Sequence, residues 1–392
     1  MVRDWLVAGF YWSVMLLARA VSALVFRVRP TFEAPLPRGA PFLLIANHVS
    51  ALDPVFVAVP VRRRAHFMAT AALFEGPLLG SVLGWLGAFP KQRGLKDREA
   101  AATLDGLYRA GRVVTLFPEG VRSWDGRMNP MQPGLGRLVK RLDATVVCAR
   151  IETGHLFGPR WAKHARRVPV MVSYSAPLTW DADASAEAIE ADIEARLRID
   201  VEAIRAPAGS RGRRLAVGLP DYLWACPGGC GALNAMRLDG EERVVCEGCA
   251  GGWTVDLSAR LVPDGGGEAL TVARAYAIAS GHFGDPPALR PADRDGVSGD
   301  VVLPGAGLRL LQRTDSGPRA VAEGDGQLRR DGLYIGDYAL PFSAIRAVVL
   351  EAGSRIFLRT AEGTLQLETG DDPPAMWHHF LDRWVASSRY ST

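Results

Sequence analysis

Three short, almost wholly apolar runs at 41–46, 113–117 and 145–149 mark the first half of the chain. Runs of that length suit strands buried on both faces of a parallel sheet. Residues 98–108 and 136–141 between them have helical patterning, so strand and helix alternate and predict an α/β domain. Each run ends in polar residues, which directs any chemistry to the carboxyl ends of the strands. Ile189, Ile193, Leu197, Val201 and Ile204 then recur every three or four positions among acidic residues. They predict an amphipathic helix over 184–204 that closes this domain. Residues 206–220, opening with Pro207, Gly209 and three arginines, read as a linker.

The N-terminal stretch is patterned differently. Residues 5–26 are nearly all apolar, with Trp5, Tyr11 and Trp12 near the start and Ser13, Arg19 and Ser22 as interruptions. Aromatic residues flanking an apolar stretch are typical of a membrane interface. A spanning helix needs about 20 apolar residues, and a central arginine costs roughly 2.5–3.5 kcal/mol on insertion. Residues 1–30 are therefore expected to form a membrane-interface helix lying in the headgroup boundary. A buried core helix and a cleaved secretory signal are the alternatives that this composition leaves open.

Beyond the linker, residues 257–300 are rich in Gly, Pro and Asp and are expected to be irregular. From Val301 onward the pattern becomes short alternating strands at 307–313, 326–335, 345–351, 355–360 and 364–369. Asp371-Asp372-Pro373-Pro374 then starts a helix with Met376, Trp377, Phe380, Leu381 and Trp384 along one side. His378 and His379 on that helix are read as solvated. A run of strands closed by one helix resembles the pleckstrin-homology/GRAM-like architecture over 301–392. That resemblance implies a module for phosphoinositides or proteins; with no Lys/Arg cluster to cradle a headgroup, a protein partner is the expectation.

With 48% hydrophobic and 22% charged residues among 392, the chain can bury a large core, which excludes wholesale disorder. The net charge of +4 hides a division. Residues 1–214 hold 30 Lys+Arg against 19 Asp+Glu (+11), and 215–392 hold the remaining 16 against 23 (−7). The first half suits an anionic partner, and the second half argues against nucleic acid.

Five cysteines are too few for a disulfide scaffold in a chain this long. Cys226, Cys230, Cys246 and Cys249 have x3, x15, x2 spacing, read as two glycine-rich knuckles of a zinc ribbon over 221–256. Four thiolates leave no open coordination position, so a zinc held there is structural. Cys148 lies in an apolar run and reads as core.

The remaining polar signals follow the apolar runs. Asn47-His48-Val49-Ser50-Ala51-Leu52-Asp53-Pro54 comes after the first. Residues five apart on a regular helix do not face one another, so His48 and Asp53 meet only if the chain turns between them. Pro54 places Asp53 in a first helical turn. The carboxylate can then orient the imidazole as a general base toward a substrate hydroxyl. Alternatively, Asp53 or Ser50 is an N-cap and His48 a satisfied polar group at a strand end. Phe117-Pro118-Glu119-Gly120-Val121-Arg122-Ser123 follows the second run. Phe89-Pro90-Lys91-Gln92-Arg93-Gly94 forms a further turn, with Lys91 and Arg93 as anion ligands. One His/Asp pair and two cationic turns describe an alcohol bearing a phosphate.

Residues 31–180 resemble the glycerolipid acyltransferase family, enzymes that esterify 1-acyl-glycerol-3-phosphate. Asn-His-x4-Asp, Phe-Pro-x2-Arg-Gly and Phe-Pro-Glu-Gly-x-Arg-Ser occur in that family's order and approximate spacing. The resemblance implies an acyltransferase domain over 31–205. It also implies membrane-associated transfer of a fatty acyl group from coenzyme A or acyl carrier protein to a lysophospholipid hydroxyl, at the cytoplasmic face of the cell membrane. His48 would be the base and Asp53 its partner. Arg93 and Arg122 would hold the phosphate, and Glu119 with Gly120 would shape the acceptor pocket. The proline that normally follows the family's fourth apolar run is missing after Val146-Val147-Cys148-Ala149-Arg150. Another acceptor, such as a lyso-aminolipid, and a catalytically silent lipid-binding scaffold are the competing readings.

Overall fold

The computed structural model describes residues 2–74, 77–91, 98–281, 301–314, 317–351 and 355–388. The chain divides into two units, Met1–Arg160 with Ala165–Gly212, and Trp161–His164 with Arg213–Thr392.

In the first unit, α1 (Val2–Val21) continues into a π-helical turn (Ser22–Phe26) that stops at Arg27, which adopts a left-handed φ of 52°. Phe26 packs edge-on against Phe56 and Phe157 with centroids 5.6 and 5.3 Å away, fastening this end of the segment. Met15 and Ser22 are buried, whereas Trp12, Leu16, Leu17, Leu24 and Val25 are exposed. Among the described residues no helix is long and apolar enough to cross a membrane.

The rest alternates as the apolar pattern predicts. β1 (Arg29–Phe32), β2 (Phe42–Ala46), α2 (Asp53–Ala58), β3 (Ala65–Thr70), α3 (Pro77–Trp85) and β4 (Ala88–Lys91) come first. α4 (Arg98–Arg109), β5 (Val113–Leu116), α5 (Leu135–Leu142), β6 (Val146–Ile151), α6 (Gly154–Phe157), β7 (Met171–Tyr174) and α7 (Ala186–Leu197) follow. The strands form one sheet in the order β1-β7-β6-β2-β5-β3-β4. All neighbours are parallel except β6 and β7.

β2 lies between β5 and β6, and all five of its residues are fully buried. Leu43 and Ile45 join Val114, Val146 and Cys148 in one core with Leu104 and Tyr108 of α4, Val139 of α5 and Ile189, Ile193 and Leu197 of α7. At about 1.5–3 kcal/mol for each fully buried aliphatic side chain, this core makes the β2 terminus a rigid mount. The helix expected over 184–204 is shorter. It starts at Ser185, whose hydroxyl accepts the Ala188 N–H, and ends at Leu197, because Arg198 is extended. Asp200 Oδ1 then accepts the N–H groups of Glu202 and Ala203, offering the backbone a turn in place of further helix.

In the second unit, β8 (Met236–Leu238), β9 (Arg243–Cys246), β10 (Gly252–Val255), β11 (Arg260–Pro263) and β12 (Leu270–Thr271) form an antiparallel sheet. α8 (Val272–Gly281) continues from it. Within the stretch expected to be irregular, 260–263 and 270–281 are thus strand and helix with turns between them, and 282–300 lie outside the described residues. Nor is the expected linker wholly solvated: Leu215, Ala216 and Leu219 are buried.

A second antiparallel sheet holds β13 (Val301–Thr314), β14 (Gly317–Arg329), β15 (Gly332–Ile335), β16 (Tyr338–Pro341), β17 (Ala347–Glu351), β18 (Arg355–Arg359) and β19 (Thr364–Glu368). Their spatial order is β16-β15-β14-β13-β19-β18-β17. The single strand expected over 326–335 is the end of β14 and all of β15, separated by Arg330 and Asp331. Gly332 permits the close pairing with β16, since a Cβ there would lie 2.6 Å from the Leu340 carbonyl oxygen. α9 (Pro374–Ser388) buries Met376, Trp377, Phe380 and Leu381. It also buries His379, contrary to expectation: the ring lies 5.0 Å from that of Trp224, with Nδ1 3.3 Å from the Tyr276 hydroxyl. Its position on the packed side of α9 is what removes it from water.

Candidate active site and four-cysteine cluster

The first site starts where β2 runs out. The buried Asn47 carries the β2–β6 pairing one step further with its side chain. Its amide donates to the Ile151 carbonyl at 3.0 Å and its oxygen accepts the Ile151 N–H at 2.7 Å. The chain then turns, and Asp53 opens α2. Asp53 Oδ2 lies 2.8 Å from His48 Nδ1 and accepts the N–H groups of Val49 and Ser50 at 2.6 and 2.8 Å. Asp53 is fully buried, while the His48 side chain keeps 20% exposure. The N-cap position of α2 is Leu52, and no side chain caps it. The carboxylate is thus committed to the turn and the imidazole. Among the described residues, His48 Nε2 makes no hydrogen bond.

The loop after β5 grips the same histidine. Phe117 stacks on the His48 ring with centroids 4.5 Å apart. Glu119 Oε1 accepts the His48 backbone N–H at 2.6 Å, and the Ser123 N–H donates to the His48 carbonyl at 2.8 Å. Glu119 Oε2 accepts the backbone and side-chain N–H groups of Asn129 at 2.7 and 3.0 Å. Burial pushes the Glu119 carboxyl up to about 7, against the hydrogen bonds from Asn129 and His48 and with a smaller push from the Asp53 charge. Gly120 adopts φ 70°, a left-handed turn conformation natural to glycine, and its N–H donates to the Phe117 carbonyl at 3.0 Å. Arg122 is half-buried; its carbonyl accepts from Arg160 at 2.8 Å, whose guanidinium covers the Trp124 ring at 4.2 Å.

Lys91 ends β4, which runs parallel to β2 three strands away in the sheet. At the usual strand spacing that is roughly 14 Å. Arg93 lies outside the described residues. The fold therefore brings His48, Asp53 and Glu119 together, sets Gly120 and Arg122 in the same loop as Glu119, and puts Lys91 at the same edge of the sheet. Sequence reasoning missed Asn129 and Ser123 as partners of this site. The Asn129-Pro130 dipeptide marks a turn, the one local signal available for the first.

The second site gathers Cys226, Cys230, Cys246 and Cys249, whose sulfur atoms all lie within 4.8 Å of one another. Cys226 and Cys249 are 3.7 Å apart, and Cys230 and Cys246 3.6 Å. Four thiolates about 2.3 Å from one zinc at tetrahedral angles stand roughly 3.8 Å apart, so the set fits that ion. The N–H groups of Gly228 and Ala232 point at Cys226 Sγ and Cys230 Sγ at 3.3 and 3.4 Å, as thiolates would require. Cys148 lies elsewhere, buried beside β2, and burial pushes its thiol up to about 12.

Residues 27–152 match the family model described as Acyltransferase. The curated 1-acyl-sn-glycerol-3-phosphate acyltransferase of Limnanthes alba is 27% identical over 146 residues, 36% of this chain and 50% of that protein. Its namesake from Bacillus subtilis is 29% identical over 89 residues, 22% of this chain and 45% of that protein. The chain spans about half the length of the curated relatives it matches. Among solved structures, it is similar to the 1-acyl-sn-glycerophosphate acyltransferase of Thermotoga maritima. The overlay has 20% identity and a TM-score of 0.42, and covers 50% of this chain and 79% of that one. The segment that matches the acyltransferase family model runs from β1 through β6 and takes in both loops that hold His48.

Proposed function

We propose that the first unit transfers a fatty acyl group from a coenzyme A or acyl carrier protein thioester to the free hydroxyl of 1-acyl-glycerol-3-phosphate. The observation that carries this reading is the 2.8 Å contact between His48 Nδ1 and Asp53 Oδ2. With Nδ1–H held by the carboxylate, Nε2 is the basic nitrogen and belongs to the partly exposed edge of the ring. Nε2 takes the hydroxyl proton as the oxygen attacks the thioester carbonyl. Collapse of the tetrahedral intermediate forms the ester and expels the thiolate, which recovers the proton from the imidazolium. General-base assistance is worth about 10²–10⁴-fold, and positioning two bound reactants can remove roughly 7–11 kcal/mol of the barrier. Arg122, Arg93 and Lys91 are the proposed phosphate ligands, in keeping with the +11 charge of residues 1–214.

The apolar side chains exposed on α1 and the turn after it support attachment to a phospholipid surface, with the segment lying along it in a peripheral or monotopic manner at the cytoplasmic face. In the second unit the four cysteines would hold one structural zinc, which contributes folding energy and takes no part in acyl transfer. The sheet from β13 to β19 closed by α9 is proposed as a PH/GRAM-like module for a protein partner.

The test is acylation of 1-acyl-glycerol-3-phosphate by the purified full chain, with a panel of thioester donors and lyso-lipid acceptors, beside His48→Ala. Activity in the parent that is lost in the variant is expected; equal rates would eliminate the mechanism.

A further inference from the structure

On the acyl-transfer reading above, we infer that Asn129 is a positioning residue for the base: it fixes the Glu119 carboxylate, and Glu119 fixes the backbone of His48. Glu119 is 1% exposed and both its oxygens are taken by the protein, Oε1 by the His48 N–H and Oε2 by the two N–H groups of Asn129. A carboxylate engaged in that way serves the base, not the acceptor pocket that the family resemblance implies for it.

The His48 peptide is clamped on both sides. Glu119 holds its N–H, and Ser123, four residues further along the same loop, holds its carbonyl at 2.8 Å. Phe117 at the start of that loop lies against the imidazole. Asn129 closes the loop on itself: Nδ2 donates to Glu119 Oε2 at 3.0 Å and to the Val121 carbonyl at 3.4 Å. Both groups facing Nδ2 are acceptors. An amide satisfies them, and a carboxylate at position 129 would oppose both. Displacing a reacting group by about 1 Å costs on the order of 100-fold in rate, so the clamp matters even though Asn129 lies one step removed from the base.

The experiment compares the purified full chain with Asn129→Ala, Asn129→Asp and Glu119→Gln, and with His48→Ala as the inactive reference. Activity is measured with an acyl-coenzyme A donor and 1-acyl-glycerol-3-phosphate. Asn129→Ala should lower kcat about 10- to 100-fold while acceptor KM stays within about twofold. Among the described residues, Asp53 of the turn after β2 is the charged group that acts on Glu119, and His48 meets it through the backbone N–H. Losing a donor to the anionic carboxylate favours its protonated form, so the acid limb of kcat should move to higher pH in Asn129→Ala and further in Asn129→Asp. Recovery at alkaline pH is a signature that simple destabilisation lacks. Glu119→Gln should show the kcat loss without that recovery, and it serves should Asn129→Ala fail to fold. Parent kcat in Asn129→Ala or Glu119→Gln, or a loss confined to KM, would overturn the inference. Parent and His48→Ala at equal rates would instead overturn the base assignment and the clamp along with it.

Discussion

Asp53 Oδ2 stands 2.8 Å from His48 Nδ1 and serves the backbone N–H groups of Val49 and Ser50 with the same oxygen, so one buried atom shapes the turn and orients the ring. Asparagine can place its carbonyl oxygen where Oδ2 lies and keep the turn, but it removes the charge that stabilises an imidazolium. Asp53→Asn should therefore lose roughly 10³- to 10⁴-fold in kcat while keeping the turn, with a modest drop in the thermal midpoint because its amide nitrogen takes the place of the buried Oδ1, which has no hydrogen-bond partner among the described residues. Asp53→Ala should lose stability as well, about 1–3 kcal/mol for each buried N–H left unpaired, read by denaturant melts of the two variants.

Glu119 makes stability depend on pH. Its carboxyl titrates near 4.5 when unfolded and at about 7 in the fold, because burial penalises the charge. Between those values the folded chain keeps a proton that the unfolded chain has released. Stability should therefore fall as pH rises from about 4.5 to about 7 and level off above, by an amount on the order of 3 kcal/mol. Denaturant melts of the parent minus those of Glu119→Gln across this window measure it; a difference that grows with pH would contradict the assignment.

Gly154 at the start of α6 packs against the back of the turn from His48 to Asp53. A Cβ there would lie 2.7 Å from Ile151 Cγ2, 2.8 Å from Val49 Cγ2 and 3.6 Å from Asp53 Oδ1. Gly154→Ala should cost about 1–3 kcal/mol through overpacking and slow acyl transfer by shifting Val49. Gly158→Ala, whose Cβ would meet only Ser50 Oγ at 3.7 Å, should leave activity at the parent level, and parallel thermal and kinetic assays separate the two.

The four-cysteine cluster has a built-in optical probe. Trp253 is buried, and its ring edge would lie 3.1 and 2.9 Å from a Cβ at Gly228 and Gly251, the glycines flanking Cys226 and Cys249. Chelation of a stoichiometric zinc should change the tryptophan emission and lower the thermal midpoint. Trp253→Phe should abolish most of the emission change while metal analysis still finds one zinc per chain. The full chain purified with no zinc, and insensitive to chelator, would rule the metal out.

His379 imposes an acid limit on the second unit. Burial lowers its imidazole to about 3, with smaller pushes from Arg383 and His378. A histidine kept neutral in the fold contributes stability that is complete above its unfolded value of 6.5 and declines as pH drops toward the folded one. His379→Phe should flatten that decline between pH 6.5 and 4, as followed by fluorescence-detected unfolding.

The apolar runs at 41–46, 113–117 and 145–149 determined β2, β5 and β6, because a strand buried on both faces has to be apolar almost throughout. Local chemistry narrowed the stretch from His48 to Asp53 to a turn that joins them or an N-cap with the ring at a strand end, since residues five apart do not meet along a helix and Pro54 limits where the helix begins; the tertiary structure decided for the turn. The cysteine spacing determined the cluster of four sulfur atoms for a similar reason, since two glycine-rich knuckles leave few ways to place them. What the tertiary structure alone decided has no period to read. Whether Asn129 reaches Glu119, or Ser123 reaches His48, depends on how two loops from different strands meet, and loop donors carry no repeating pattern. β16, four residues long, and the buried His379 depended on their neighbours in the same way. A short edge strand is defined by the strand beside it, and a polar ring on a helix is buried or solvated according to the surface that the helix covers.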